Sequence, residues 1–192
     1  MIHSNYAYKI VRPGTKKRKR TDALVFLLLF PLLVFAQQWD YPLIKGYGGI
    51  QFSEEIAEPF AAEERYQLLF DITSEARKGG ANRSLWRVAR TLNLLAASSV
   101  PQENIEIVVA LHGGATKMAL SNEAYQSLFQ KNNPDVKLLE ILAQHKVRFF
   151  VCSQAMIARS YPLDQLHPNV KAALSALTVV ANYQKKGYIL MP

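Results

Sequence analysis

The chain has 192 residues, 49% of them hydrophobic and 20% charged, which suits one globular domain with a sizeable core and a terminal extension. Its formal net charge is +8, but seven of the 23 basic residues and one of the 15 acids fall in residues 1–36. The remaining residues carry 16 basic and 14 acidic groups, a net +2, so a basic groove for nucleic-acid phosphates is not indicated.

The N-terminal excess has a pattern. Lys16-Lys-Arg-Lys-Arg20 precedes the 14-residue apolar run Ala23–Ala36, and Val34 and Ala36 occupy the −3 and −1 places before Gln37. A positive region, an apolar core and small residues at a cleavage point read as a secretory signal peptide. The run is short for a membrane span, which takes about 20 residues, and Pro31 interrupts it. An uncleaved anchor and a nuclear address in the basic cluster are the alternatives. The expected segments are a signal peptide over 1–36, a leader over 37–64 and a domain over 65–192. The destination is periplasmic or secreted, with no membrane span left after cleavage.

The leader holds turn residues (Pro42, Gly46, Gly48, Gly49, Pro59) and the aromatics Trp39, Tyr41, Tyr47 and Phe52. These are expected to pack on the domain surface or on a neighbouring subunit. Tyr66–Thr73 reads as the first strand. Ser84–Ser98 reads as a helix, because Leu85, Val88, Leu92 and Leu95 recur at helical spacing, with Asn82 as N-cap and Pro101 beyond its end. Asn93 interrupts that helix and reads as an exposed polar position. Ile105–Leu111 is a second strand closing on His112-Gly113-Gly114. Ser121 or Asn122 caps a helix through Phe129, Asn132-Asn133-Pro134 breaks it, and Asp135 opens another running to His145. Val147–Val151 is a short, mostly apolar strand followed by Cys152, and Ala155–Ser160 a short helix or turn. In the tail, Val170–Lys186 is either one helix or a strand (Val170–Leu174) and a helix (Ala176–Lys186). Gly187 suits a helix C′ position either way, and Tyr188–Leu190 has the length of an edge strand. Strands alternating with helices at this spacing predict βαβ units, a parallel sheet and right-handed crossovers.

Cys152 is the chain's one cysteine, so no internal disulfide can form, and an odd thiol in an exported protein signals intermolecular pairing or a reactive sulfur. The carboxyl ends of parallel strands are where reactive groups sit, and both Cys152 and His112 follow strands. An imidazole beside a thiol can lower its pKa and accept its proton. Gly113 and Gly114 permit close backbone approach or an amide nest for an anion. The competing reading is a plain His-Gly-Gly turn and an inert core cysteine. The four histidines are scattered and CxxC is absent, so neither a metal site nor a cofactor motif is expected.

These residues resemble a family. Ile105–Gly113 is similar to the strand-then-HG segment of DsrE/DsrF-like proteins, and Val147–Met156 to their strand-then-cysteine segment. Asp164–Val170, Tyr183–Ile189 and Asn93 ahead of Leu94 and Leu95 are similar too, so that the resemblance covers Tyr66 to Met191. It implies a three-layer α/β/α fold with a mainly parallel five-stranded sheet, assembly of the chain with itself into a trimer or hexamer, and the strand-plus-helix tail. It also implies that Cys152 carries sulfur as a persulfide and exchanges it with a thiol or sulfur-carrier partner. His112 matches the family's HG position. Family members frequently have Gly after the cysteine, where this chain has Ser153. The expectation is an exported sulfur-handling protein in which His112 assists proton transfer, while Gly113, Gly114 and amides near Ser153 hold the anion. The alternatives are an oligomeric assembly module with a structural cysteine, and a thiol that coordinates copper with His112 or Met156.

Overall fold

A computed structural model of the chain describes residues 39–53, 55 and 58–192. The expected signal peptide, 1–36, lies outside the described residues. In chain order the elements are β1 (Tyr66–Ile72), β2 (Arg77–Lys78), β3 (Ala81–Asn82), α1 (Arg83–Ala97), β4 (Ile105–Leu111), α2 (Asn122–Phe129), α3 (Val136–Gln144), β5 (Arg148–Cys152), α4 (Ser153–Ile157), β6 (Val170–Ala173), α5 (Ala176–Lys185) and β7 (Ile189–Met191). Short 3-10 turns over Gln102–Asn104 and Gly113–Ala119 flank β4.

Five strands form one parallel sheet in the order β6-β5-β4-β1-β7. The chain steps from β1 through β4 and β5 to β6, then returns past all of them to β7. Right-handed connections that move one way across a sheet lie on one face, and a connection that returns lies on the other. The two cores show this division. Leu85, Val88 and Leu92 of α1, Ala124 of α2 and Leu138 and Leu142 of α3 pack on Leu68, Ile107, Val109 and Phe149. On the opposite face α5 supplies Ala176 and Val179 against Leu69, Val108, Ala110 and Cys152. The fold is three-layered α/β/α with a parallel five-stranded sheet. In the tail, the strand-plus-helix alternative is the one present.

Local chemistry sets the ends of these elements. Asn82 accepts hydrogen bonds from the Ser84 and Leu85 amides at 2.8 and 3.3 Å, closing the first turn of α1. At the other end Ser99 adopts φ +61°, and the Val100 amide donates to the Leu95 carbonyl, the bond that ends a helix with a left-handed residue. The hairpin of β2 and β3 turns on Gly79 and Gly80, both at positive φ, as a two-residue turn of this hand requires. Asp135, buried at the start of α3, accepts from the Asn82 amide at 2.7 Å and pairs with Arg77 at 3.1 Å, fastening that hairpin to the domain.

Asn93 corrects the sequence expectation. It is not exposed but fully buried, at 0% accessibility. Its side chain accepts from the Leu43 and Ile44 amides at 3.0 and 2.7 Å and donates to the Tyr47 and Gly48 carbonyls at 2.9 and 3.0 Å. The leader is thereby drawn into the core, where Ile44 is wholly buried. Gly48 lies so close to α1 that a Cβ there would meet the Arg90 amide nitrogen.

Candidate functional site

β5 and β6 are neighbours with Cys152 opposite Ala173 in register. From these adjacent strand ends the chain departs to opposite faces. α4 starts at Ser153, with Cys152 as its N-cap, and sends Met156 into the larger core, whereas α5 starts three residues after Ala173 and covers the other face. Such a parting of connections opens a crevice at the carboxyl edge of a parallel sheet. The Cys152 sulfur lies at that point, between the first turns of two helices. Cys152 is the last residue of β5 rather than the residue beyond it.

Four groups act on the sulfur. Burial (Cys152 is 6% exposed) pushes the thiol up, but the backbone amides of Ala176, Ala155 and Gln154 and the Ser175 hydroxyl outweigh it, and the net is a thiol below its ordinary value. The Sγ to Ser175 Oγ distance is 3.8 Å. Ser175 is itself fixed by a capping box, its Oγ accepting from Leu177 N while Thr178 Oγ1 accepts from Ser175 N, both at 3.2 Å. The Ser153 hydroxyl donates to the Leu174 carbonyl at 2.9 Å, tying the start of α4 to the start of α5. Ser153 thus fixes the spacing of the two helix starts. The rim is apolar, with Leu174 70% and Leu177 77% exposed on either side of Ser175.

His112 stands one strand away. Leu111 pairs with Val151, and His112 continues extended at φ −155° and ψ −169°. The alternation of side chains therefore puts His112 on the face that carries Ala110 and Cys152. Its Nε2 lies 2.7 Å from Asp71 Oδ1 on β1, on the far side from Cys152. Cys152, His112 and Asp71 come from three adjacent strands at one end of one face, and the imidazole is bound to the carboxylate.

Gly113 and Gly114 lie against Thr73 instead. Gly113 has φ +56°, and a Cβ on either residue would approach the Thr73 carbonyl oxygen to 3.0 or 3.2 Å. The next amide, Ala115, donates to that oxygen at 3.0 Å. Met156 faces the larger core, away from the thiol. Among the described residues no group of three or more His, Cys, Asp or Glu side chains is placed to hold a metal ion. A cleft of about 610 Å³ opens at the other end of the sheet, lined in part by Glu106, Arg148 and Lys171, and Cys152 does not border it.

Sequence reasoning missed Asp71, Ser175 and Ala176. Asp71 had a signal, since it is the one acid in its strand and follows the apolar run Leu68–Phe70. Ser175 also had one, as a serine three residues ahead of Thr178 at the start of the tail helix. Ala176 had none, because its contribution is a backbone amide.

Comparisons with known proteins agree with this architecture. A protein of unknown function, MTH1491 from Methanobacterium thermoautotrophicum, superposes with a TM-score of 0.50 at 19% identity, over 66% of this chain and 97% of that one, a likeness of fold alone. A protein named a deacetylase from Brucella anthropi is 35% identical over 86 residues, 45% of this chain and 21% of that protein. The chain thus spans about a fifth of the length of that curated relative. The model of the DsrE/DsrF-like family matches residues 68–192, from inside β1 to the last residue. The chain belongs to the DsrE/DsrF-like family.

Proposed function

We propose that the protein carries sulfur on Cys152, in keeping with a family whose membership points to sulfur relay. The observation that supports this is the sulfur held at the start of two helices, where three amides and one hydroxyl favour the thiolate over the thiol. The Cys152 thiolate attacks the outer sulfur of a donor persulfide. The donor's S–S bond breaks, a new S–S bond forms on Sγ, and the donor departs as its thiolate, so that no outside oxidant or reductant is needed. Delivery is the same exchange in reverse, onto a partner thiol. The amides of Gln154, Ala155 and Ala176 hold whichever sulfur carries the charge, and His112, oriented by Asp71, takes the proton of the Cys152 thiol as the thiolate forms and gives it to the departing donor thiolate. The basic cluster and apolar run of residues 1–36 direct the chain to the periplasm or outside.

The test is intact mass of the full-length chain after mixing with a small persulfide donor, beside Cys152→Ser and His112→Gln. The expected result is a one-sulfur adduct on the parent chain and none on Cys152→Ser. His112→Gln loads more slowly, by on the order of 10²-fold. No adduct on the parent, together with a thiol inert to alkylation, refutes sulfur carriage. It would favour the assembly reading instead, in which the exposed Leu174 and Leu177 are covered by another copy of the chain.

A further inference from the structure

On the opposite side of the sheet from Cys152, the β2–β3 hairpin and the outer surface of α1 enclose a hollow of about 160 Å³ lined by Lys78, Arg83, Trp86, Arg87 and Arg90. No acid lines it. Arg83, Trp86, Arg87 and Arg90 stand at i, i+3, i+4 and i+7 of α1, one stripe of a helix. Lys78 reaches over from the hairpin, its Nζ 3.8 Å from the centre of the Trp86 ring, and the Arg90 guanidinium lies 4.4 Å from the same ring. The indole thus holds two cations in place by cation–π attraction.

This arrangement works against the helix that carries it. Like charges at i, i+4 repel. Arg83 opens α1, whose first turn holds no acid, although the positive end of the helix dipole disfavours a cation there. Among the described residues none of the four cations pairs with an Asp or Glu side chain. Arg87 donates to the Pro192 carbonyl and Arg90 Nη2 to the Gly49 carbonyl at 3.0 Å. The Nε–H of Arg90 is buried and has no hydrogen-bond partner among the described residues. Buried donors are ordinarily satisfied, and one that is not calls for an explanation.

We propose that this hollow binds a tetrahedral oxyanion of the phosphate class, free in solution or as the head of a phosphate ester. An anion there removes the repulsion along α1. Arginine forks match its oxygens in pairs. The remainder of the chain after residue 36 is nearly neutral in sum, so the site is a local concentration of charge sized for one such group. It does not depend on the chemistry of Cys152.

The chain has two tryptophans, Trp39 and Trp86, so Trp39→Phe in the full-length protein leaves Trp86 as the reporter within the hollow. Its fluorescence is titrated with sodium phosphate against sodium chloride at matched ionic strength. The expected result is a saturable change with phosphate alone. Arg83→Gln with Arg87→Gln weakens it by about tenfold or more, the fold-change for losing charged hydrogen bonds, and Cys152→Ser leaves it unchanged. Circular dichroism confirms that the double variant is folded, and Lys78→Gln, on the hairpin, gives a second and independent weakening. Vesicles of phosphatidylglycerol and of phosphatidylcholine separate the two sources. Sedimentation with the anionic vesicles, reversed by phosphate, assigns the ester, whereas phosphate binding without sedimentation assigns the free ion. A response no different from chloride, or folded variants that bind as the parent does, overturns the proposal.

Discussion

Asn93→Ala is the sharpest test of how the leader is held. The change removes two acceptances and two close donations between α1 and residues 43–48. Leu43 and Tyr47 are half-buried, and water can replace the side chain there. Ile44 and Gly48 are buried, so the Ile44 amide and the Gly48 carbonyl are left without partners. An orphaned buried group costs about 1–3 kcal/mol, and an ordinary lost bond about 1 kcal/mol. The expected loss is about 4 kcal/mol, a large share of a stability that is commonly 5–15 kcal/mol, and a fall of about 10 °C in Tm. Urea unfolding in a Trp86→Phe background, followed by circular dichroism and by Trp39 fluorescence, measures it. If the leader detaches before the rest unfolds, the fluorescence transition comes first and the main transition has a smaller m value. A loss below about 1 kcal/mol with coincident transitions would refute the assignment of Asn93 as the clasp.

Two further outcomes follow from the thiol and its neighbouring loop. The alkylation rate of Cys152 against pH should rise at a lower pH than for an ordinary thiol, since the native value is depressed; Ser175→Ala shifts the profile upward and slows alkylation at neutral pH, and an unshifted profile would remove Ser175 from the site. Gly113→Ala combines a left-handed φ of +56° with a 3.0 Å approach to the Thr73 carbonyl, and should cost about 2 kcal/mol in urea unfolding with sulfur loading retained. A variant as stable as the parent that fails to load sulfur would instead place Gly113 in the anion site.

Elements whose apolar side chains repeat were legible in the sequence. The stripe Leu85, Val88, Leu92 and Leu95 located α1, and the run Ile105–Leu111 located β4 with its bounds, because burial on a fixed period leaves a mark in composition. The tail was ambiguous because Val170–Ala173 is an edge strand with two exposed residues, and its short alanine-rich sequence has no period of its own. Asn93 was misread because a polar residue within a helix is usually on the wet side; here its partners are backbone groups some 45 to 50 positions away, and no local pattern records them. The candidate site divides in the same way. Cys152 and His112 stand out by residue type at strand ends, while Ala176 acts from a distant element through a main-chain group that every residue but proline possesses.

That last point bears on how the site can change over time. A thiolate held by lysine or histidine is lost when one codon changes. Three of the four donors around Cys152 belong to the peptide chain at 154, 155 and 176, Ser175 alone acting through its side chain, so substitutions at those three positions leave the N–H in place as long as the helices start where they do, and proline alone deletes it. Selection there acts on the path of the backbone and on the packing that keeps α4 and α5 side by side. Side chains at those three positions can therefore change while the amides that face the sulfur stay where they are.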